Sequence, residues 1–133
     1  MDPVFLEPGE GDGSEELKTK LSTDGIGVVE FDVEKDEVAT HTHEQDELFY
    51  VLDGQMTFGA SEDKKELGAG GFVFVPRGTP HWFFHMKPAR YLVISSPGGL
   101  ESYFAEIEKA DADDADDAKR AEIAAEHGTS FVD

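Results

Sequence analysis

The sequence predicts an all-β domain, a closed barrel or sandwich of short strands, followed by a short helical C-terminal tail. Three observations predict it. Between Gly27 and Ser96, β-branched and aromatic runs alternate with Gly, Pro and Asp turn residues at near-regular spacing, as in barrels and sandwiches. Beyond Pro97-Gly98-Gly99 the apolar residues recur at three- and four-residue spacing, the period of an amphipathic helix. A chain of 133 residues suits one domain built on one core.

The elements follow in order. Residues 1–26 read as an N-terminal arm: Pro3, Pro8, Gly9, Gly11 and Gly13 make it irregular, with room for a short strand over 17–21 ended by Asp24-Gly25. Residues 27–96 form the barrel core. Runs at 28–33 and 38–43 are followed by 47–52, whose Asp53-Gly54 end predicts a hairpin turn returning into 56–58. A polar strand is expected at 64–67. Phe72-Val73-Phe74-Val75 is apolar on both faces and predicts a central strand. Residues 76–80, with two prolines, must turn, because proline cannot serve a central ladder. Runs at 81–86 and 91–95 complete the set.

Residues 97–133 form an acidic helical tail, with Leu100, Tyr103, Phe104 and Ile107 on one helix face. Five aspartates between Asp111 and Asp117 stay solvated and suit the N-terminus of a second helix, near 115–126, which His127-Gly128 stops. His127 therefore reads as a cap. Phe131 and Val132 form a small apolar end. The tail is too weakly apolar for a second domain and is expected to pack on the barrel; no repeat of the barrel is visible.

Composition excludes several function classes. The chain has no cysteine, so any metal is held by N and O donors. A formal charge of −19 opposes nucleic acid and anionic membranes. No apolar run approaches the roughly 20 residues needed to span a bilayer, and no leader opens the chain. The expectation is a soluble cytoplasmic protein with no nucleic-acid or membrane partner.

The chemistry concentrates in His41-Thr42-His43-Glu44-Gln45-Asp46-Glu47, answered by His81 after the 76–80 turn. Side chains two apart on a strand share a face, so His41 and His43 point together. Glu47 can fold back across the corner formed by Glu44, Gln45 and Asp46, and His81 arrives from another strand. Three imidazoles and a carboxylate favour Fe, Mn, Ni, Co or Zn over Mg or Ca. On an octahedral ion they leave two positions open for substrate oxygen, water or dioxygen.

The runs His41-x-His43-x3-Glu47-x6-Gly54 and Gly70-x5-Pro76-x-Gly78-x2-His81 resemble the two motifs of the cupin superfamily. Two positions depart from the pattern: Lys35 stands where the family's first motif opens with glycine, and His85 where its second ends on asparagine. The resemblance implies a cupin-type β-barrel (double-stranded β-helix or jelly roll), often dimeric. It also implies a divalent metal on the barrel axis held by His41, His43, Glu47 and His81. The helical tail resembles single-barrel cupins labelled quercetin-dioxygenase-like.

His85 lies about 13 Å along the strand from His81 at ~3.3 Å per residue, too far to ligate the same ion. It is expected as a pocket acid/base, a polar lid residue or a surface histidine at the rim; Glu47 is the other candidate catalytic group. Phe83 is expected to wall the pocket, and Phe49, Val51 and Phe58 are candidates to line it, with core packing the alternative for each. Trp82 and Phe84 face outward and require cover, from the arm or from a second subunit of a homodimer. The function expected is a metal-dependent dioxygenase acting on a small aromatic or enolic molecule. The alternatives are a non-redox metal-dependent isomerase, cyclase or lyase, and a non-catalytic protein that binds a small molecule or metal.

Overall fold

A computed structural model describes residues 1–132. Among them, in chain order, are β1 (Asp12–Gly13), β2 (Leu17–Ser22), β3 (Gly27–Val33), β4 (Asp36–His43), β5 (Asp46–Asp53), β6 (Met56–Ala60), β7 (Asp63–Leu67), β8 (Phe72–Val75), β9 (His81–His85) and β10 (Ala89–Ser96). Two helices, α1 (Leu100–Ala112) and α2 (Asp117–Glu126), and a last strand, β11 (Thr129–Phe131), complete the chain. No helix among the described residues is long and apolar enough to cross a membrane.

Two antiparallel sheets enclose the core. One runs β1-β2-β3-β10-β5-β8, the other β11-β4-β9-β6-β7. From β3 to β10 the chain passes repeatedly from one sheet to the other, the pattern of a jelly roll. Alternation along each strand decides what faces inward: Glu47, Phe49 and Val51 on β5, His81, Phe83 and His85 on β9, and Tyr91 and Val93 on β10 are all buried. Phe49, Phe58, Phe83 and Tyr91 interlock through centroid spacings of 5.0–6.4 Å. Each such side chain contributes about 1.5–3 kcal/mol by leaving water.

The tail has its own small core of Leu100, Tyr103, Ala110, Ile123 and Ala124, and Phe104 joins it to the barrel. Asp116 caps α2, its Oδ1 accepting from the Lys119 N–H at 2.8 Å. His127 caps the other end, and Gly128 turns the chain at φ 73°, a left-handed conformation that glycine adopts without strain. The apolar end then does something its sequence does not announce. It forms β11 and pairs with β4, setting Thr129 opposite His43 and Phe131 opposite His41.

One expectation is corrected. The run 72–75 is not central: β8 is the edge of the six-stranded sheet. Its valines face in, while Phe72 and Phe74 are exposed at 56% and 51%. A strand apolar on both faces therefore signals here an outer face awaiting cover. The arm does not cover Trp82 and Phe84. It lies on the other sheet, where Val4, Leu6 and Pro8 adjoin Leu21, Val28 and Arg90. Trp82 and Phe84 stack on each other at 6.0 Å. Trp82 also lies against Gly59, where any Cβ would collide with the indole, and the Lys64 ammonium stands 5.9 Å from its ring.

Candidate functional site

The jelly-roll crossings bring four separated residues to one point. His41 and His43 share the inner face of β4, His81 on β9 stands directly across from His41, and Glu47 projects from the opposite sheet. All four are buried, and one donor atom from each lies within 4.8 Å of every other. The imidazole centroids are 4.2 Å (His41–His81), 4.6 Å (His41–His43) and 5.2 Å (His43–His81) apart.

Each ring is oriented through its outer nitrogen. His41 Nδ1 donates to the Ala39 carbonyl at 2.7 Å, and His81 Nδ1 to the Thr79 carbonyl at 2.9 Å. His43 Nδ1 meets the Thr129 hydroxyl at 2.7 Å. A carbonyl only accepts, so the Nδ1 of His41 and of His81 carries a proton. The Nε2 atoms converge on Glu47: His81 Nε2 is 2.9 Å and His43 Nε2 is 3.6 Å from Glu47 Oε1. His43 Nε2 is buried without a hydrogen-bond partner.

Electrostatics agree with this geometry. Burial, then the neighbouring His81, depress the His41 pKa to about 4. Burial, then His41 and His81, depress His43 to about 3. Both rings are neutral at physiological pH. Burial raises Glu47, with His81 countering only in part. Burial also pulls His81 down, but the Glu47 hydrogen bond and charge and the Thr79 carbonyl together outweigh it and the net shift is upward. Both upward shifts express one proton held between two acceptors. Inward lone pairs, an orphaned buried nitrogen and a shared proton are what a divalent cation would satisfy and replace, so the four residues fit a divalent metal.

A cavity of about 770 Å³ opens beside the cluster. His41, His43 and Glu47 stand on its wall, and Phe49 and Phe83 line it. Of the other candidates, Val51 and Phe58 take the core-packing role, at 0% and 5% exposure. The reason is depth: alternation turns them inward, but other core side chains cover them. Further apolar wall comes from places the sequence reading did not assign, Phe31 on β3, Tyr91 and Val93 on β10, and Tyr103, Phe104 and Ile107 on α1, while Glu16, Lys35, Asp36, Glu37, Glu108 and Asp111 add a mostly acidic part. The helical periodicity of 103, 104 and 107 was visible; that their face closes a cavity was not. The Tyr103 ring lies 6.4 Å from His43. Burial, then Glu47 and Asp111, raise its pKa, so its phenol keeps a proton to donate.

His85 is corrected. It is 2% exposed, not a surface residue at the rim. Its Nδ1 donates to the Lys87 carbonyl at 2.8 Å, and its ring meets the Tyr91 ring at 6.0 Å, edge to face. It is not among the residues of the cavity wall, which gives an acid/base role at the cluster no support. His127 caps α2 and bonds Glu106 at 2.6 Å, apart from the cluster.

A family profile described as Cupin domain matches residues 27–95, which include all four cluster residues. Quercetin 2,3-dioxygenase of Bacillus subtilis (strain 168) is 32% identical over 113 residues, covering 77% of this chain and 34% of that protein. An acireductone dioxygenase of Leptospira interrogans is 35% identical over 80 residues, covering 53% of this chain and 45% of that protein. The chain thus spans between about one third and one half of the length of these two curated relatives. Among solved structures, an RmlC-like cupin from Shewanella frigidimarina superposes with a TM-score of 0.60 at 22% identity, over 71% of this chain and 89% of that one. At that identity the likeness concerns the fold alone.

Proposed function

This chain belongs to the cupin family, with a cupin-2-type domain over residues 27–95, and from that premise we propose that it is a metal-dependent dioxygenase acting on a small, flat aromatic or enolic molecule. The observation that carries the reading is the buried His41-His43-Glu47-His81 cluster on the wall of an aromatic-lined cavity. The two relatives named for dioxygenase activity support it further.

In this reading His41, His43, Glu47 and His81 hold the ion. Iron or manganese bound there supplies Lewis acidity toward a substrate oxygen and redox chemistry toward dioxygen. The chain supplies the rest. Phe49 and Phe83 from the barrel and Phe104 from α1 sandwich a flat ring and exclude water. Glu47, buried at the cavity wall, takes the enolic proton. The Tyr103 phenol donates a hydrogen bond to substrate oxygen next to His43. Cavity walls poor in positive charge, in a chain of charge −19, disfavour sugar phosphates and other anions.

The test is oxygen uptake by the iron- or manganese-loaded protein against a panel of enolic and phenolic compounds. We expect one dioxygen consumed per substrate molecule with no added reductant, and competition by small chelating oxygen donors. If no compound drives uptake while the zinc-loaded protein isomerises or cyclises one of them, the non-redox reading replaces this one.

We further propose that the protein is a homodimer through the outer face of β5 and β8. There Tyr50, Phe72 and Phe74 are exposed at 41%, 56% and 51%, with Tyr50 opposite Phe72 and Leu48 opposite Phe74. An apolar patch without charge suits a second copy of a chain that elsewhere repels itself. Light scattering should give twice the chain mass, and Phe74→Glu should shift the protein toward monomer without loss of metal. A monomeric wild type at micromolar concentration would refute the dimer.

A further inference from the structure

The cluster histidines are not all oriented by the same means. His41 and His81 each rest on the carbonyl of the residue two positions earlier on the chain, Ala39 and Thr79. Those contacts come with the local backbone of β4 and of the turn before β9. His43 is different. Its Nδ1 partner is the hydroxyl of Thr129, 86 residues away in sequence and on the last strand of the tail.

That hydroxyl is firmly placed. Thr129 is 2% exposed and stands opposite His43 in the β4–β11 ladder. Before it, the Gly128 carbonyl accepts from the Glu44 N–H at 3.2 Å; after it, the Val132 N–H donates to the Thr40 carbonyl at 2.9 Å. Gly128 also lies against the Glu44 side chain, and its turn brings the chain directly from the α2 cap into β11. With Nδ1 donating to Thr129, His43 presents an unprotonated Nε2 to the cluster, and that nitrogen is buried without a hydrogen-bond partner.

We propose that the C-terminal strand completes the metal centre, with Thr129 as the positioning residue that holds the tautomer and ring plane of His43. The tail is then a working part of the site. Docking of β11 and metal binding favour each other, because whatever orients His43 raises metal affinity and bound metal in turn favours the docked tail. The inference rests on the reading of the cluster as a metal centre.

The test uses the full chain, stripped of metal and titrated with Co²⁺, following affinity and the visible d–d spectrum. Thr129→Val keeps a β-branched side chain of similar shape and removes the hydroxyl; Thr129→Ser keeps the hydroxyl. We expect Thr129→Val to bind Co²⁺ about 10–100-fold more weakly, the range for loss of an outer-sphere partner, with an altered spectrum, and Thr129→Ser to recover most of the loss. Circular dichroism of the metal-free variants checks that both fold. Independently of any variant, the ¹⁵N spectrum of the zinc-loaded wild type should show His43 as the Nδ1–H tautomer.

Wild type that binds no cobalt or zinc overturns the metal centre and this inference together. Wild type that binds, beside a Thr129→Val variant of equal affinity and unchanged spectrum, overturns the role of Thr129 alone. Equal weakening in the Val and Ser variants, or an Nε2–H tautomer for His43, overturns it as well.

Discussion

Alanine at His43 is expected to strip the protein of its metal, from about one ion per chain to less than a tenth of that under dialysis at micromolar protein. The substitution removes one of four donors, an imidazole whose Nε2 is buried without a hydrogen-bond partner. It also leaves Glu47 and His81 paired at 2.9 Å, where a proton competes with the ion for their lone pairs. The loss of affinity should exceed the roughly 10–100-fold typical of an outer-sphere partner. Alanine at His127 is the control. That residue caps α2 and bonds Glu106 but contributes nothing to the cluster, so its metal content should match wild type. Elemental analysis after reconstitution measures both, and equal loss from the two variants would refute the ligand assignment. The same experiment predicts a stability difference. At free metal about 100 times the dissociation constant, binding stabilises the fold by about 2.7 kcal/mol, so stripped wild type should melt lower than loaded wild type and His43→Ala should not respond.

The metal-free protein should be acid-labile, with greatest stability just above pH 6.5. The sign follows from proton counting. His41 and His43 have folded pKa values of about 4 and about 3, below their ordinary 6.5. Between those values and 6.5 the unfolded chain binds protons that the folded chain refuses, so stability falls as pH falls through that window. A shift of the size at His41 corresponds to on the order of 3 kcal/mol. The Glu47–His81 pair acts in the opposite direction. Both groups are shifted upward in the folded state and hold their shared proton above the unfolded His81 value. For His81 that contribution is fully present below pH 6.5, and for Glu47 below 4.5; each is lost as pH rises through the raised folded value. Thermal melts of stripped protein from pH 4 to 9 should show both limbs. A bound cation replaces the shared proton, so the loaded protein should lose the alkaline limb. A flat profile between pH 4 and 6.5 for the stripped protein would contradict the burial of neutral His41 and His43.

Much of this protein was legible in local pattern. Two-residue alternation put His41 with His43, and Phe49 and Phe83 with the site. Proline and glycine marked the 76–80 turn before His81, and the 111–117 aspartates and His127-Gly128 marked the ends of the second helix. Such features depend on backbone geometry and nearest neighbours, which a sequence carries in full. Misreadings came where burial depends on distant chain. The 72–75 run is as apolar as a central strand, but what lies beyond β8 is a property of the assembled sheet. Parity left Val51 and Phe58 open between cavity and core, and depth placed them in the core. His85 has the parity of His81, yet lies buried outside the wall.

The sequence by itself determined the all-β class, the four residues of the cluster and the family, because strand period, turn chemistry and donor type are local. Only the tertiary structure decided that α1 closes the cavity with Tyr103, Phe104 and Ile107, and that β11 returns to put the Thr129 hydroxyl on His43. No spacing rule links residues 86 positions apart. That pairing joins the end of the chain to the outer edge of β4, a contact set by the assembled sheet and not by local pattern.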